Sequence, residues 1–201
     1  MKKAILHLKK ADPVLGAILD RVGPYKIKYH EPQFQTLVSS IVYQQLSGKA
    51  AATIFGRLMA AAKATPLTPE SILKLRPAKL RALGLSKQKT DYIRGLARMT
   101  RDGEVNFEQC SALDDAAVIE HLTRVKGVGV WTVHMFLLFA LRRPNVLPTG
   151  DLGIRSAIKK AYALPELPKP AEIEQMAAAW HPYCSVATWY LWRSLEGQAS
   201  L

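Results

Sequence analysis

Apolar residues recur at intervals of three and four along nearly the whole chain, the spacing of helices that bury one face. Val14, Leu15, Ile18, Leu19 and Val22 form one such stripe, with Asp12 placed to cap it and Pro13 at the first helical position. Gly23 to Pro32 breaks the period and reads as a connecting loop. Two consecutive buried helices follow. The first carries Phe34, Leu37, Val38, Ile41 and Val42; the second, after the break at Ser47-Gly48, carries Ala51, Ile54, Phe55, Leu58, Met59 and Ala62. Short helices start at Thr68-Pro69-Glu70 and at Pro77, and Ser86 caps one with Tyr92, Ile93, Leu96 and Ala97. Asp114 caps a helix through Val118, Leu122 and Val125, and a further apolar helix holds Trp131, Phe136, Leu137, Ala140 and Leu141. Beyond Pro144 and Pro148, helices start near Asp151, Pro170 and Tyr183. No segment alternates convincingly with the period of a strand and no internal repeat is visible, so the expected fold class is all-α.

With 201 residues, 49% of them hydrophobic, the chain has enough apolar surface for a core without staples. Cys110 and Cys184 are the only cysteines, too few for a four-cysteine cluster and consistent with a reducing compartment. No apolar run approaches the roughly 20 residues of a membrane span, and MKKAILHLKK is too short and interrupted for a signal peptide. A soluble, cytoplasmic, monomeric protein with no membrane partner is expected. Lys and Arg number 28 against 16 Asp and Glu, a formal charge of +12. That balance fits a nucleic-acid partner, and by itself equally fits a generally basic protein. Lys74, Arg76, Lys79, Arg81, Lys87 and Lys89 lie within periodic segments rather than in a tail, which places the charge on a folded surface able to track phosphates.

The central motif is Leu122-Thr-Arg-Val-Lys-Gly-Val-Gly-Val-Trp-Thr132: a helix, a Gly-Val-Gly hairpin and a second helix. The first turn of a helix has backbone N–H groups without intrahelical partners, and its dipole favours an anion there. Glycines let a phosphate approach the backbone closely. Lys126, Gly127, Val128, Gly129 and Thr132 are the candidate phosphate-binding residues, although a glycine between two helices is more often simply a turn. Some twenty residues on, Leu147-Pro-Thr-Gly-Asp151 places a carboxylate at the start of the next helix.

In these features the chain resembles the helix-hairpin-helix DNA glycosylases, whose Gly/Pro-rich loop ends in a catalytic Asp, and most closely the bacterial 3-methyladenine DNA glycosylase II group. The resemblance runs from about Phe34 to Glu196, through Tyr43-Gln44-Gln45-Leu46-Ser47, Leu80-Arg-Ala-Leu-Gly-Leu-Ser86, the hairpin, the Asp loop and Trp180-His-Pro-Tyr183. It implies that Asp151 is catalytic, and the chemistry agrees. Breaking an N-glycosidic bond builds positive charge on the sugar, which a carboxylate stabilises or uses to orient water. An isolated Asp before a helix would more simply be a plain N-cap, and the combination with the hairpin favours the catalytic reading. Bifunctional members carry a nucleophilic lysine two residues after the second hairpin glycine. Here that position is Trp131, so no Schiff base forms there and a monofunctional enzyme without lyase activity is implied.

Trp131 and Trp192 align with the pocket for the flipped base, with Met135 where a related enzyme has an aromatic; the alternative is that the tryptophans are core anchors. Alkylated purines of the 3-methyladenine and 7-methylguanine type are cationic and already good leaving groups, so aromatic faces suffice to recognise them. Gln45 aligns with the wedge that fills the gap left by the flipped nucleotide, and Leu46 is its apolar neighbour; both otherwise read as a solvent-facing helix end. Cys184 stands where the family often has an Arg. No cofactor is expected, apart from a monovalent cation that the hairpin carbonyls could hold as in relatives. His134 and His181 lack companion ligands at metal-site spacing.

The expected architecture is one domain of two interleaved helical lobes, about 32–143 and about 1–31 with 144–201, with the active site in the cleft between them. A helical pattern beginning by Asp12 leaves no room for the N-terminal β-rich domain of longer bacterial relatives. Two other functions fit parts of the pattern: a glycosylase of the same fold acting on uracil, mismatched or oxidised bases, and a non-catalytic helix-hairpin-helix module that only grips double-stranded DNA.

Overall fold

Side-chain caps start many of the helices, and several were legible in advance. In the computed structural model, which describes residues 1–196, Asp12, Ser47, Thr68, Ser86, Asp114 and Asp151 each accept a hydrogen bond from a backbone N–H in the first turn that follows. Among the described residues the chain forms α-helices and one short 3-10 turn, Ala178–Trp180, and no strand. The fold is all-α, as the periodicity requires.

The chain divides into two units, 1–29 with 137–201 and 30–136. The first contains α1 (Lys2–Ala11), α2 (Pro13–Val22), α11 (Leu152–Ala161), α12 (Pro170–Ala177) and α13 (Cys184–Leu195). Its core joins Leu8, Leu15, Ile18, Ile154, Ile158, Ile173, Trp180 and Leu191. Asp12 ties the two ends of this unit together. Its Oδ1 accepts from Leu15 N at 2.9 Å, and its Oδ2 accepts from the Trp180 indole at 2.8 Å and from the Tyr162 hydroxyl.

The second unit contains α3 (Phe34–Tyr43), α4 (Gly48–Ala62), α5 (Pro69–Leu73), α6 (Pro77–Ala82), α7 (Lys87–Arg101), α8 (Phe107–Cys110) and α9 (Asp115–Thr123). α7 is its centre and packs against α3, α5 and α6. α10 (Val130–Phe139) begins in this unit, and the division at 136/137 falls inside it.

Three features differ from the sequence reading. Helix α1 was not anticipated: its lysines flank a stripe in which only Ala4 and Leu8 are buried, too narrow to stand out from a basic leader. Helix α4 was expected to be buried along Ile54, Phe55, Met59 and Ala62, yet only Ala51 and Leu58 are fully so. Ile54 instead lies against Gly84, and Phe55 lines a cavity. The second junction lies at 136/137 rather than 143. Beyond it Phe139 stacks on Trp192 and Arg143 O accepts from Ser185 Oγ, which ties the end of α10 to α13.

Candidate active site and DNA-binding hairpin

In the second unit, α9 ends at Thr123 and the chain turns through Arg124 to Gly129 before α10 begins at Val130. The turn is closed by Val125 N to Leu122 O and Val128 N to Val125 O at 3.1 and 3.0 Å. Gly127 has φ +91°, and a methyl group there would overlap the Tyr92 ring. Only glycine meets both demands, so Tyr92 of α7 sets the identity of residue 127. Lys126 and Gly129 are exposed, whereas Val128 is buried and anchors the tip. Thr132 is also buried; its hydroxyl faces Gln44 Nε2 at 3.4 Å and is not presented to a phosphate on the surface.

The end of α3 meets this hairpin. Gln44 Nε2 donates to Gly127 O at 2.9 Å. The next residue, Gln45, is exposed and adopts φ +55°, the left-handed region that costs a residue with a Cβ. Leu46 follows in a turn closed by its N–H on Tyr43 O at 3.3 Å, and it is also exposed. Gln45 lines two hollows of the unit. One, about 470 Å³, includes Ser86, Lys89, Tyr92 and the hairpin from Val125 to Gly129. The other, about 830 Å³, brings Trp131 and Met135 together with Ser39, Ser40, Tyr43 and Phe55. Its volume lies within the range of about 300 to 1,000 Å³ typical of ligand pockets. Trp131 is 47% exposed and so is no core anchor.

In the first unit, the loop before α11 is held by α13. Ser185 N donates to Pro144 O at 3.0 Å and Val146 N to Ser185 Oγ at 2.9 Å, while Thr188 Oγ1 donates to Val146 O at 3.3 Å. Both hydroxyl residues are buried, so their partners are fixed. Asp151 N then donates to Pro148 O at 2.9 Å, which turns the chain into α11. The Asp151 side chain caps that helix, with Ile154 N donating to Oδ1 at 2.8 Å. The same oxygen accepts from the Trp192 indole at 2.8 Å. Trp192 lies 6.0 Å from Phe139, nearly parallel at 14°. The resemblance assigns Trp192 to the base pocket; here its indole N–H is donated to Asp151.

Several contributors were not singled out in the sequence. Gln44 bridges 83 positions to the hairpin, and Ser185 and Thr188 look like ordinary small polar residues on a helix. Gly153 makes room for the carboxylate and the indole: a methyl group there would lie 3.0 Å from Asp151 Oδ1 and 3.1 Å from Trp192 Cδ1. Cys184 is buried at the start of α13, where burial pushes its thiol up to about 11. An Arg at that position would need a different local packing. Neither His134 nor His181 joins a cluster able to hold a metal among the described residues. His134 is held below the usual imidazole range by burial, which the charge of Asp115 partly offsets, and His181 Nδ1 pairs with Asn145 Nδ2 at 2.8 Å.

The chain thus carries a Gly-Val-Gly turn between two helices, a hollow lined by a half-exposed tryptophan and a capping carboxylate on a braced loop. The family model for the helix-hairpin-helix superfamily of base excision DNA repair proteins (HhH-GPD) matches residues 38–182, and the chain belongs to that superfamily. It is 32% identical over 200 residues to DNA-3-methyladenine glycosylase 1 of Schizosaccharomyces pombe, covering 96% of this chain and 87% of the relative. Among solved structures, the 3-methyladenine DNA glycosylase of the same yeast in complex with abasic DNA superimposes with a TM-score of 0.84 at 33% identity, over 95% of each chain. A DNA-3-methyladenine glycosidase from Bacillus halodurans gives a TM-score of 0.87 at 34% identity, over 98% of this chain and 90% of that one. Among the described residues no helix is long and apolar enough to cross a membrane.

Proposed function

We propose that the protein is a monofunctional DNA glycosylase that removes alkylated purines of the 3-methyladenine and 7-methylguanine type from double-stranded DNA, as a monomer in the cytoplasm, and leaves an abasic site. One observation carries the reading: Asp151, on a loop braced by buried hydroxyls, receives the Trp192 indole at 2.8 Å in a chain similar over nearly its whole length to 3-methyladenine glycosylases.

Alkylation at a ring nitrogen gives the base a positive charge. When the glycosidic bond breaks, its electron pair stays with the base, which leaves neutral, and the positive charge passes to the sugar. Asp151 stabilises that charge as a carboxylate, a water adds at C1′, and the water's proton goes to solvent. Hydrogen bonds from Ile154 N and the Trp192 indole hold one Asp151 oxygen in place. Trp131 and Met135, in the 830 Å³ cavity, supply the polarisable surface for the flipped base, and Gln45 with Leu46 fills the gap it leaves. Lys126 and the hairpin backbone receive phosphates.

The residue two positions after Gly129 is Trp131, which has no amine to form a Schiff base, and this supports hydrolysis without strand cleavage. No cofactor enters the scheme. A monovalent cation at the hairpin fits the carbonyls of Val125 and Gly127: each accepts one hydrogen bond and keeps a second lone pair. Its charge would add to phosphate binding.

The test is a panel of duplexes carrying 3-methyladenine, 7-methylguanine, hypoxanthine or uracil, with product read before and after alkali. Release of the alkylated purines with strand breaks only after alkali is expected. Breaks without alkali would overturn the monofunctional assignment. Release of uracil alone would move the enzyme to another substrate, and release from none would leave a DNA-binding module.

A further inference from the structure

Lys89 reaches from its own helix to another. Its Nζ, from the first turn of α7, donates to Val42 O at 2.7 Å and to Gln44 O at 2.6 Å, both carbonyls at the end of α3. α3 has no glycine at its end and no basic residue in its last turn, so its terminal carbonyls, where the helix dipole is negative, are met from outside. The ammonium is partly removed from water, which lowers its pKa, and the carbonyl dipoles replace the hydration it loses.

The residue after this clamp is Gln45, at φ +55° and exposed. A left-handed non-glycine residue persists only where the surroundings impose it. The clamp supplies that constraint on one side, because it fixes the carbonyl immediately before Gln45. On the other side, the Gln44 amide is fixed on Gly127 O at 2.9 Å. Lys89, Gln44 and Gly127 thus form a continuous polar chain from α7 through the turn to the phosphate-binding hairpin.

We propose that Lys89 is a positioning residue for base flipping: its ammonium clamps the end of α3 so that Gln45 stands ready to enter the helix gap in register with the hairpin's grip on the backbone. The role rests on Gln45 being the wedge, as proposed above. The effect assigned to Lys89 travels through the turn that it clamps. Removing it should slow the unstacking of the base and leave the bond-breaking step alone.

The test is a double-mutant cycle of Lys89→Met and Gln45→Ala, because methionine keeps length and bulk and loses the donors. Two readouts are taken: the single-turnover excision rate, and the fluorescence of 2-aminopurine beside a non-hydrolysable 7-methylguanine analogue, which reports unstacking without cleavage. Each single change is expected to slow both by about tenfold or more, and the double variant to match Gln45→Ala within about twofold, since a clamp without a wedge has nothing to position. Lys89→Arg keeps two donors and is expected to stay near wild type. Additive losses would show that Lys89 only stabilises the fold and would overturn the proposal. So would indifference to Gln45→Ala, or a Lys89→Met variant that flips normally. If Lys89→Met does not fold, Lys89→Gln takes its place in the cycle: slowed flipping at wild-type thermal stability supports positioning, and equal losses of rate and stability overturn it. A wild type that cleaves no base yet closes the fluorescence cycle would sink the glycosylase reading and leave the positioning role standing.

Discussion

The indole N–H of Trp192 meets Oδ1 of Asp151 at 2.8 Å, and the same oxygen caps α11 through Ile154 N. One carboxylate oxygen is therefore held from two directions by residues 41 and three positions away. This makes the capping and catalytic readings of Asp151 compatible. The cap fixes where the carboxylate sits, and the indole fixes how it is turned.

Trp192→Phe separates those two contributions. Phenylalanine keeps an aromatic face against Phe139, while the N–H and part of the ring's bulk are lost. We expect the fold and DNA affinity to stay close to wild type and the single-turnover rate to fall by about tenfold, the effect of one hydrogen bond on a carboxylate that must be oriented. A rate unchanged in Trp192→Phe would mean that the bond does not orient Asp151.

Gly153→Ala tests the same geometry by crowding. The added methyl would lie 3.0 Å from Asp151 Oδ1 and 3.1 Å from Trp192 Cδ1, so the pair must separate. Alanine is otherwise favoured within a helix, by roughly 0.5–1 kcal/mol over glycine. The expected result is a protein at least as stable to urea as wild type, with excision slowed by more than in Trp192→Phe. Wild-type activity would show that neighbouring side chains yield at no cost to the chemistry.

Gly127→Ala is expected to act on binding. It places a Cβ in the Tyr92 ring at φ +91°, where a non-glycine residue costs about 1–2 kcal/mol before any clash. Fluorescence anisotropy with an undamaged duplex should show a marked loss of affinity. Gly127→Ala combined with Tyr92→Ala should recover part of that loss, because it removes the clash and leaves the dihedral strain. No recovery would place the whole effect in the strain.

The helices were legible where capping chemistry and apolar period coincide, as at Asp12, Ser86, Asp114 and Asp151. The hairpin was legible because glycine is forced by local geometry. What period cannot reveal is a partner far along the chain. An aromatic on a helix carries no mark of what its N–H will meet, so the bond from Trp192 to Asp151 was not legible. Gln44 and Lys89 read as polar surface for the same reason, and Ser185 and Thr188 gave no sign that both would be buried under the loop leading to Asp151. Phe55 was read as core because a cavity wall and a core face share one apolar pattern.

The buried thiols give a prediction about alkaline pH. Burial raises Cys184 from an ordinary 9.0 to about 11, so the unfolded thiol ionises first as pH rises. The folded state then binds more protons than the unfolded one, and stability is full below about pH 9 and declines from there towards 11. Tyr25 and Tyr162, both raised by burial from 10.0, add to the decline from about pH 10 upward. Urea denaturation at pH 8 and 9.8 should show the loss, and Cys184→Ala should remove most of it. At pH 8 a thiol reagent should label neither Cys110 nor Cys184 until the protein is unfolded, since both are buried. Labelling of the native protein would contradict that burial.

The most direct test compares wild type with Asp151→Asn for single-turnover release of 7-methylguanine from a duplex. Asparagine is as good a helix cap as aspartate and can still accept the Trp192 N–H, so the fold and DNA binding should persist while the negative charge is lost. The rate is expected to fall by about 10² to 10⁴ with unchanged affinity for undamaged DNA. Release at the wild-type rate by Asp151→Asn would contradict the catalytic assignment, and would leave Asp151 as a cap alone.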